Sequence, residues 1–106
     1  MTARSSYRKF EDVVGCKWSV SVLLAVANGI NRPGALERHI AGISTKVLSE
    51  RLRKLAAYGL IHKQSFAEVP PRTEYSLTES GRKLIRIIEQ IQDLDVQLSD
   101  KGGKSA

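Results

Sequence analysis

Residues 42–78, GISTKVLSERLRKLAAYGLIHKQSFAEVPPRTEYSLT, constrain the fold of this chain more than any other stretch. Ser44 is a preferred N-cap residue type, and Leu48, Leu52 and Leu55 follow it at i, i+4 and i+7 with Val47 and Ala56 alongside. That pattern predicts an amphipathic helix over about residues 44–58, with Gly59 as its stop. Lys46, Ser49, Glu50, Arg53 and Lys54 fall opposite the apolar stripe, and Thr45 lies on the exposed first turn. Residues 60–66 alternate poorly but are bounded by Gly59 and Pro70, so they read as a strand. Residues 73–77, with Tyr75 and Leu77 on one side, read as the return strand. Pro70-Pro71 cannot continue a hydrogen-bonded ladder, which puts the hairpin tip near them.

The segments before this core unit are helical. A short helix is expected at 10–14, with Gly15 letting the chain turn. KWSVSVLLAVA, residues 17–27, is apolar nearly all round, as a central buried helix must be. Asn28-Gly29 ends it. Pro33 suits the first turn of a third helix running to about Ile40, and residues 41–43 make the turn into the helix at Ser44.

After the hairpin, Thr78 caps a last helix expected over 79–98. Its apolar residues Leu84, Ile87, Ile91, Leu94 and Leu98 are spaced 3, 4, 3 and 4, and Ile85 and Ile88 widen the band. The seam is too short for a self-sufficient coiled coil. It is expected to pack on its own domain with one edge and on a second copy with the other, through Leu84, Ile87, Ile88, Ile91, Leu94 and Leu98. Residues 1–9 read as a flexible basic arm, 10–98 as one domain, and 99–106 as a disordered tail. The fold class is therefore α+β, mostly α: a winged helix-turn-helix with a two-stranded β-wing and a C-terminal dimerisation helix.

Composition narrows the function. The chain of 106 residues is 42% hydrophobic and 26% charged, ordinary for a globular domain. Its longest apolar run, residues 22–27, is far short of the ~18 a membrane span needs. The single cysteine forms no internal disulfide, which fits a cytoplasmic, nucleoid-associated protein. The net charge is +6, and its distribution is uneven. Residues 1–74 hold 12 Lys+Arg against 6 Asp+Glu, whereas 75–106 hold 5 of each. The whole surplus coincides with the helix and hairpin, where phosphate neutralisation would need it. A helix with cationic and hydrogen-bonding side chains, followed by a basic hairpin, matches a major-groove reader with an adjoining wing.

The order of motifs resembles the HxlR-type winged-helix transcriptional regulators, relatives in architecture of the MarR group. The resemblance rests on VVGCKWSVSVLLAVANG, then RxxxL and GIS, then Leu48, Arg51-Leu52, Leu55 and Gly59-Leu60, and most specifically on EVPPRTEYSLTESGRKL. It implies a bacterial or archaeal homodimer joined through terminal helices, the fourth helix in the major groove of an operator, and a wing at 61–77. The family usually has glycine where Cys16 stands, an aromatic at Pro33 and an acidic residue at Ala35. Oxidant-sensing members carry a cysteine just before the first helix, and residues 2–8 contain none.

Candidate DNA-binding residues are Thr45, Lys46, Ser49, Glu50, Arg53 and Lys54 on the fourth helix, Lys63 and Arg72 on the wing, and Arg32 before the third helix. Glu50 either reads a cytosine amino group or pairs with a neighbouring cation. Arg51, close to the apolar side, is a candidate tie between this helix and the wing. Trp18 has the bulk of a core anchor. Cys16, at a helix start beside Lys17, is the candidate for a redox or electrophile switch. His39 and His62 have no partners at metal-ligand spacing, so neither metal nor cofactor is expected. No nucleophile elbow or phosphate loop is present, and an enzyme is the weakest class. The remaining rival is a winged-helix module that recognises protein. A small-molecule effector, unnamed by the sequence, is an expected partner beside operator DNA and a second copy.

Overall fold

The computed structural model describes residues 7–105, with side chains to residue 99. Its elements follow in the order α1 (Arg8–Val14), α2 (Lys17–Ala27), α3 (Pro33–His39), α4 (Thr45–Ala57), β1 (Ile61–Phe66), β2 (Arg72–Leu77) and α5 (Glu79–Ser105). The core forms around α2, whose Val22, Leu23, Ala25 and Val26 are buried, as its near-continuous apolar sequence requires. Leu36 from α3 and Leu48, Leu52 and Leu55 from α4 close on one side of it. Leu84, Ile85 and Ile88 from α5 complete the same cluster.

Local capping explains where the helices start and stop. Ser44 Oγ accepts a hydrogen bond from the Val47 N–H at 3.1 Å, satisfying one of the orphan donors at the start of α4. The turn before it depends on Gly42 (φ +84°), and the turn after α4 on Gly59 (φ +78°), a backbone region other residues enter at a cost. Thr78 fastens α5 to the body. Its hydroxyl accepts from the Gly81 N–H at 3.0 Å and donates to the Gly59 carbonyl at 2.6 Å, while its N–H donates to the Leu60 carbonyl at 3.1 Å.

The hairpin is antiparallel, with Ile61 opposite Leu77, Lys63 opposite Tyr75 and Phe66 opposite Arg72. Only its base is packed: Ile61 and Tyr75 are buried, while residues 62–65 are exposed. That projection explains the poor alternation of β1, because a ribbon standing away from the core has no buried face to pattern. The Tyr75 N–H donates to the Asn31 carbonyl at 2.8 Å, tying β2 to the α2–α3 connection.

Two boundaries differ from expectation. The backbone of α5 continues through Ser105, past the end expected near Leu98. Gly102 and Gly103 lower helix propensity without stopping a helix already propagating from a capped start. At the other end, α1 begins at Arg8, so the arm expected at 1–9 is helical at Arg8 and Lys9, and residues 1–6 lie outside the described residues.

Candidate nucleic-acid interface

Burial of Leu48, Leu52 and Leu55 leaves the opposite side of α4 to solvent. Thr45, Lys46, Ser49, Glu50 and Arg53 are all exposed and form one contiguous strip along the helix. Lys63 is exposed on β1, the neighbouring element.

Thr45 does not stand alone. Its hydroxyl donates to Glu37 Oε2 of α3 at 2.8 Å, across the turn of the helix-turn-helix. Glu37 was not among the residues singled out from the sequence. An i, i+8 contact through a glycine turn has no periodic signature, so only the folded geometry reveals it.

Three expected contact residues occupy other positions. Lys54 turns toward α1: its Nζ lies 3.5 Å from Asp12 Oδ2 and 5.9 Å from the Tyr58 ring centroid. Asp12 also accepts a hydrogen bond from the Tyr58 hydroxyl at 2.7 Å. The Tyr58 bond, followed by the Lys54 charge, holds the Asp12 carboxyl below its ordinary value, and the same bond raises the Tyr58 phenol. Lys54 thus joins a strut between α1 and the end of α4, one step round the helix from the exposed strip.

Arg72 is folded back onto the wing and does not project from its tip. Its guanidinium stacks 4.0 Å from the Phe66 centroid and pairs with Glu68 at 3.0 Å and Glu74 at 3.3 Å. Arg72 Nε is buried with no hydrogen-bond partner. Arg32 reaches the same Glu74 at 3.6 Å. Glu68 and Glu74, which sequence reading left unassigned, therefore pair with the two arginines, and the tip, residues 67–71, carries no cation.

Arg51 is half-buried with its Nε unpartnered, and its charge acts on Cys16 at the start of α2. Burial pushes the Cys16 thiol up. Hydrogen bonds from the Ser19 side chain and from the backbone at Ser19 and Trp18, with the Arg51 charge, outweigh that and leave it below its ordinary value. Trp18 is half-buried and packed on the core, with Lys17 Nζ 5.0 Å from its ring centroid. Among the described residues no three His, Cys, Asp or Glu side chains are placed to hold a metal ion. No helix among them is long and apolar enough to cross a membrane.

The sixfold apolar set expected on α5 splits in two. Leu84 and Ile88 are 4% and 3% exposed and belong to the domain's own core. Ile87, Ile91, Leu94 and Leu98 are each about half exposed, at 50%, 46%, 53% and 58%. They continue a groove of about 800 Å³ between α1 and the first turns of α5, lined by Tyr7, Phe10, Val14, Leu84, Ile87 and Ile91 among others.

A helical core, a helix with an exposed polar strip after a glycine turn, and a β-ribbon beside it define a winged helix-turn-helix domain. The chain belongs to the HxlR-like helix-turn-helix family, whose model matches residues 13–102. It is 44% identical over 73 residues to the HTH-type transcriptional regulator sll1512 of Synechocystis sp., a match covering 69% of this chain and 54% of that protein's length. The crystal structure of a protein named as a MarR-family transcriptional regulator from Enterococcus faecalis V583 superposes with a TM-score of 0.82 at 29% identity, covering 98% of this chain and 97% of that one. The redox regulator HypR in its reduced form gives a TM-score of 0.80 at 32% identity, covering 94% and 99%.

Proposed function

We propose that this chain is a homodimeric, sequence-specific DNA-binding transcriptional regulator. The exposed strip of Thr45, Lys46, Ser49, Glu50 and Arg53 on a helix whose other side is buried is the observation that carries this reading. α4 enters the major groove, Arg53 and Ser49 meet base edges, and Lys46 near the helix N-terminus meets phosphate. Lys63 approaches the adjoining backbone. Arg72 and Arg32 shape the wing against Glu74 and contribute less to phosphate contact than their charge alone implies. Lys54 ties the end of α4 to α1.

The half-exposed stripe Ile87, Ile91, Leu94 and Leu98, continuous with the α1–α5 groove, is the surface that a second copy covers. Burying such a stripe in a symmetric pair removes apolar area from water and sets two reading helices at the spacing of one DNA turn, ~34 Å, or a multiple of it.

The test is binding of the purified protein to duplexes selected from a random library, across a salt series. The expected result is a two-fold symmetric site and log K falling steeply with log salt. Arg53→Ala should lose discrimination between the selected site and random duplex. A protein that binds no duplex at low salt, or binds without salt dependence, is instead a protein-recognition module.

A second reading adds a switch to the first. Cys16 stands at the N-cap position of α2, its thiol is held below its ordinary value by the Ser19 and Trp18 hydrogen bonds and the Arg51 charge, and a structural relative is named a redox regulator. On this reading oxidation or alkylation of Cys16 changes operator affinity, and Cys16→Ser abolishes the response. A serine variant that still responds removes it.

A further inference from the structure

The hydrogen bond between Thr45 and Glu37 does more than fasten α3 to α4. Resting on the reading of α4 as the major-groove helix, we propose that Glu37 is a positioning residue that makes Thr45 an acceptor-only reader. The base facing Thr45 must then carry an amino group: adenine or cytosine.

A threonine hydroxyl has one proton to donate and two lone pairs to accept with. Left alone it rotates, and so it tolerates bases of either kind. Here the proton is committed to Glu37 Oε2 at 2.8 Å, and an ionised carboxylate offers no proton in return. Both residues are exposed, so the remaining lone pairs of Thr45 Oγ1 are open to an incoming base edge. In the major groove adenine N6 and cytosine N4 donate, whereas guanine O6 and N7 and thymine O4 accept. An acceptor-only hydroxyl pairs with the first two and repels the others.

The position of Glu37 is itself favoured. It faces the first turn of α4, where unpaired backbone N–H groups attract negative charge. Thr45 is the first residue of that helix, the region from which helix-turn-helix proteins read bases.

The experiment uses the full chain, a duplex selected from a random library, and every single base-pair variant of that duplex in competition binding at fixed salt. In the wild type one position per half-site should favour adenine or cytosine over guanine or thymine, by roughly fivefold for one hydrogen bond. Thr45→Val should flatten that position and no other. Glu37→Ala should also admit guanine and thymine there, because the freed hydroxyl can turn and donate. Glu37→Gln, whose carbonyl oxygen still accepts the hydroxyl proton, should keep the preference. The proposal is overturned if the alanine and glutamine variants behave alike, as charge removal alone would make them. It is equally overturned if Thr45→Val alters no position, or if the affected position prefers guanine or thymine. A wild type that selects no duplex at all brings down the DNA-binding reading itself, a separate result.

Discussion

Gly81 is where the structure makes its sharpest demand on a single residue. A Cβ added there would overlap the Leu60 carbonyl oxygen and lie 3.1 Å from its carbon and 3.3 Å from Leu77 Cδ2. The nearest obstacle is backbone, so no side chain can swing aside. Gly81→Ala must push the start of α5 away from the β1 entry by an ångström or more, against the two hydrogen bonds that tie Thr78 to the Gly59 and Leu60 carbonyls. Overpacking of this kind costs about 2 kcal/mol. Loss of one Thr78 bond adds ~1 kcal/mol. Alanine returns ~1 kcal/mol through helix propensity. The net expectation is a loss of about 2 kcal/mol, or roughly 10 °C in Tm for a domain of this size. Urea unfolding at fixed protein concentration measures it, as a lower midpoint at unchanged slope. Gly34→Ala is the internal control. Its Cβ meets only the mobile end of Arg38 at 3.4 Å, so the same substitution in α3 should be neutral or stabilise by up to ~1 kcal/mol. If Gly81→Ala were as stable as the wild type, the close docking of α5 on Leu60 would be wrong.

Ser44→Ala should destabilise by ~1 kcal/mol, because the Val47 N–H loses its only cap at the start of α4; thermal unfolding checks it. Ile91→Glu with Leu94→Glu should leave the fold intact by circular dichroism and reduce the sedimenting mass from two chains to one. A two-chain mass in that variant would move the dimer contact elsewhere. The Asp12–Tyr58 pair gives a two-sided pH dependence. Asp12 is lowered below 3.8, so its contribution is present above that value and lost as pH falls through the lowered one. Tyr58 is raised above 10.0, so its contribution is present below that value and lost as pH rises through the raised one. Tyr58→Phe should therefore destabilise across neutral pH and converge with the wild type in strong acid. A constant difference down to pH ~2 would show that the bond is not the cause.

What was legible in the sequence was what local chemistry encodes. The limits of α2 and α4 follow from an apolar run ended by Asn28-Gly29 and from Ser44 and Gly59, and each acts within a turn of its own position. The exposed strip on α4 is legible for the same reason, since helical period alone assigns Lys46, Ser49 and Arg53 to the side opposite Leu48, Leu52 and Leu55. The contacts that were not legible share the opposite cause. A cation's role depends on which carboxylate the fold brings near it, and Asp12 for Lys54 or Glu74 for Arg72 and Arg32 are not sequence-periodic partners. Arg72 looks like a tip residue because it follows two prolines, yet Glu68, Glu74 and Phe66 hold it flat on the ribbon. On α5, spacing identified one broad apolar band but not its division, because periodicity fixes which residues share a face and says nothing about where the core's edge crosses it. Leu84 and Ile88 fall inside that edge and Ile87, Ile91, Leu94 and Leu98 outside. The same edge makes α1 decisive: it supplies Phe10 and Val14 to the groove beside the open stripe and Asp12 to the end of α4. The surface proposed for a second copy and the helix proposed to read DNA are thus separated by one seven-residue helix, and no stretch of sequence read alone could place it there.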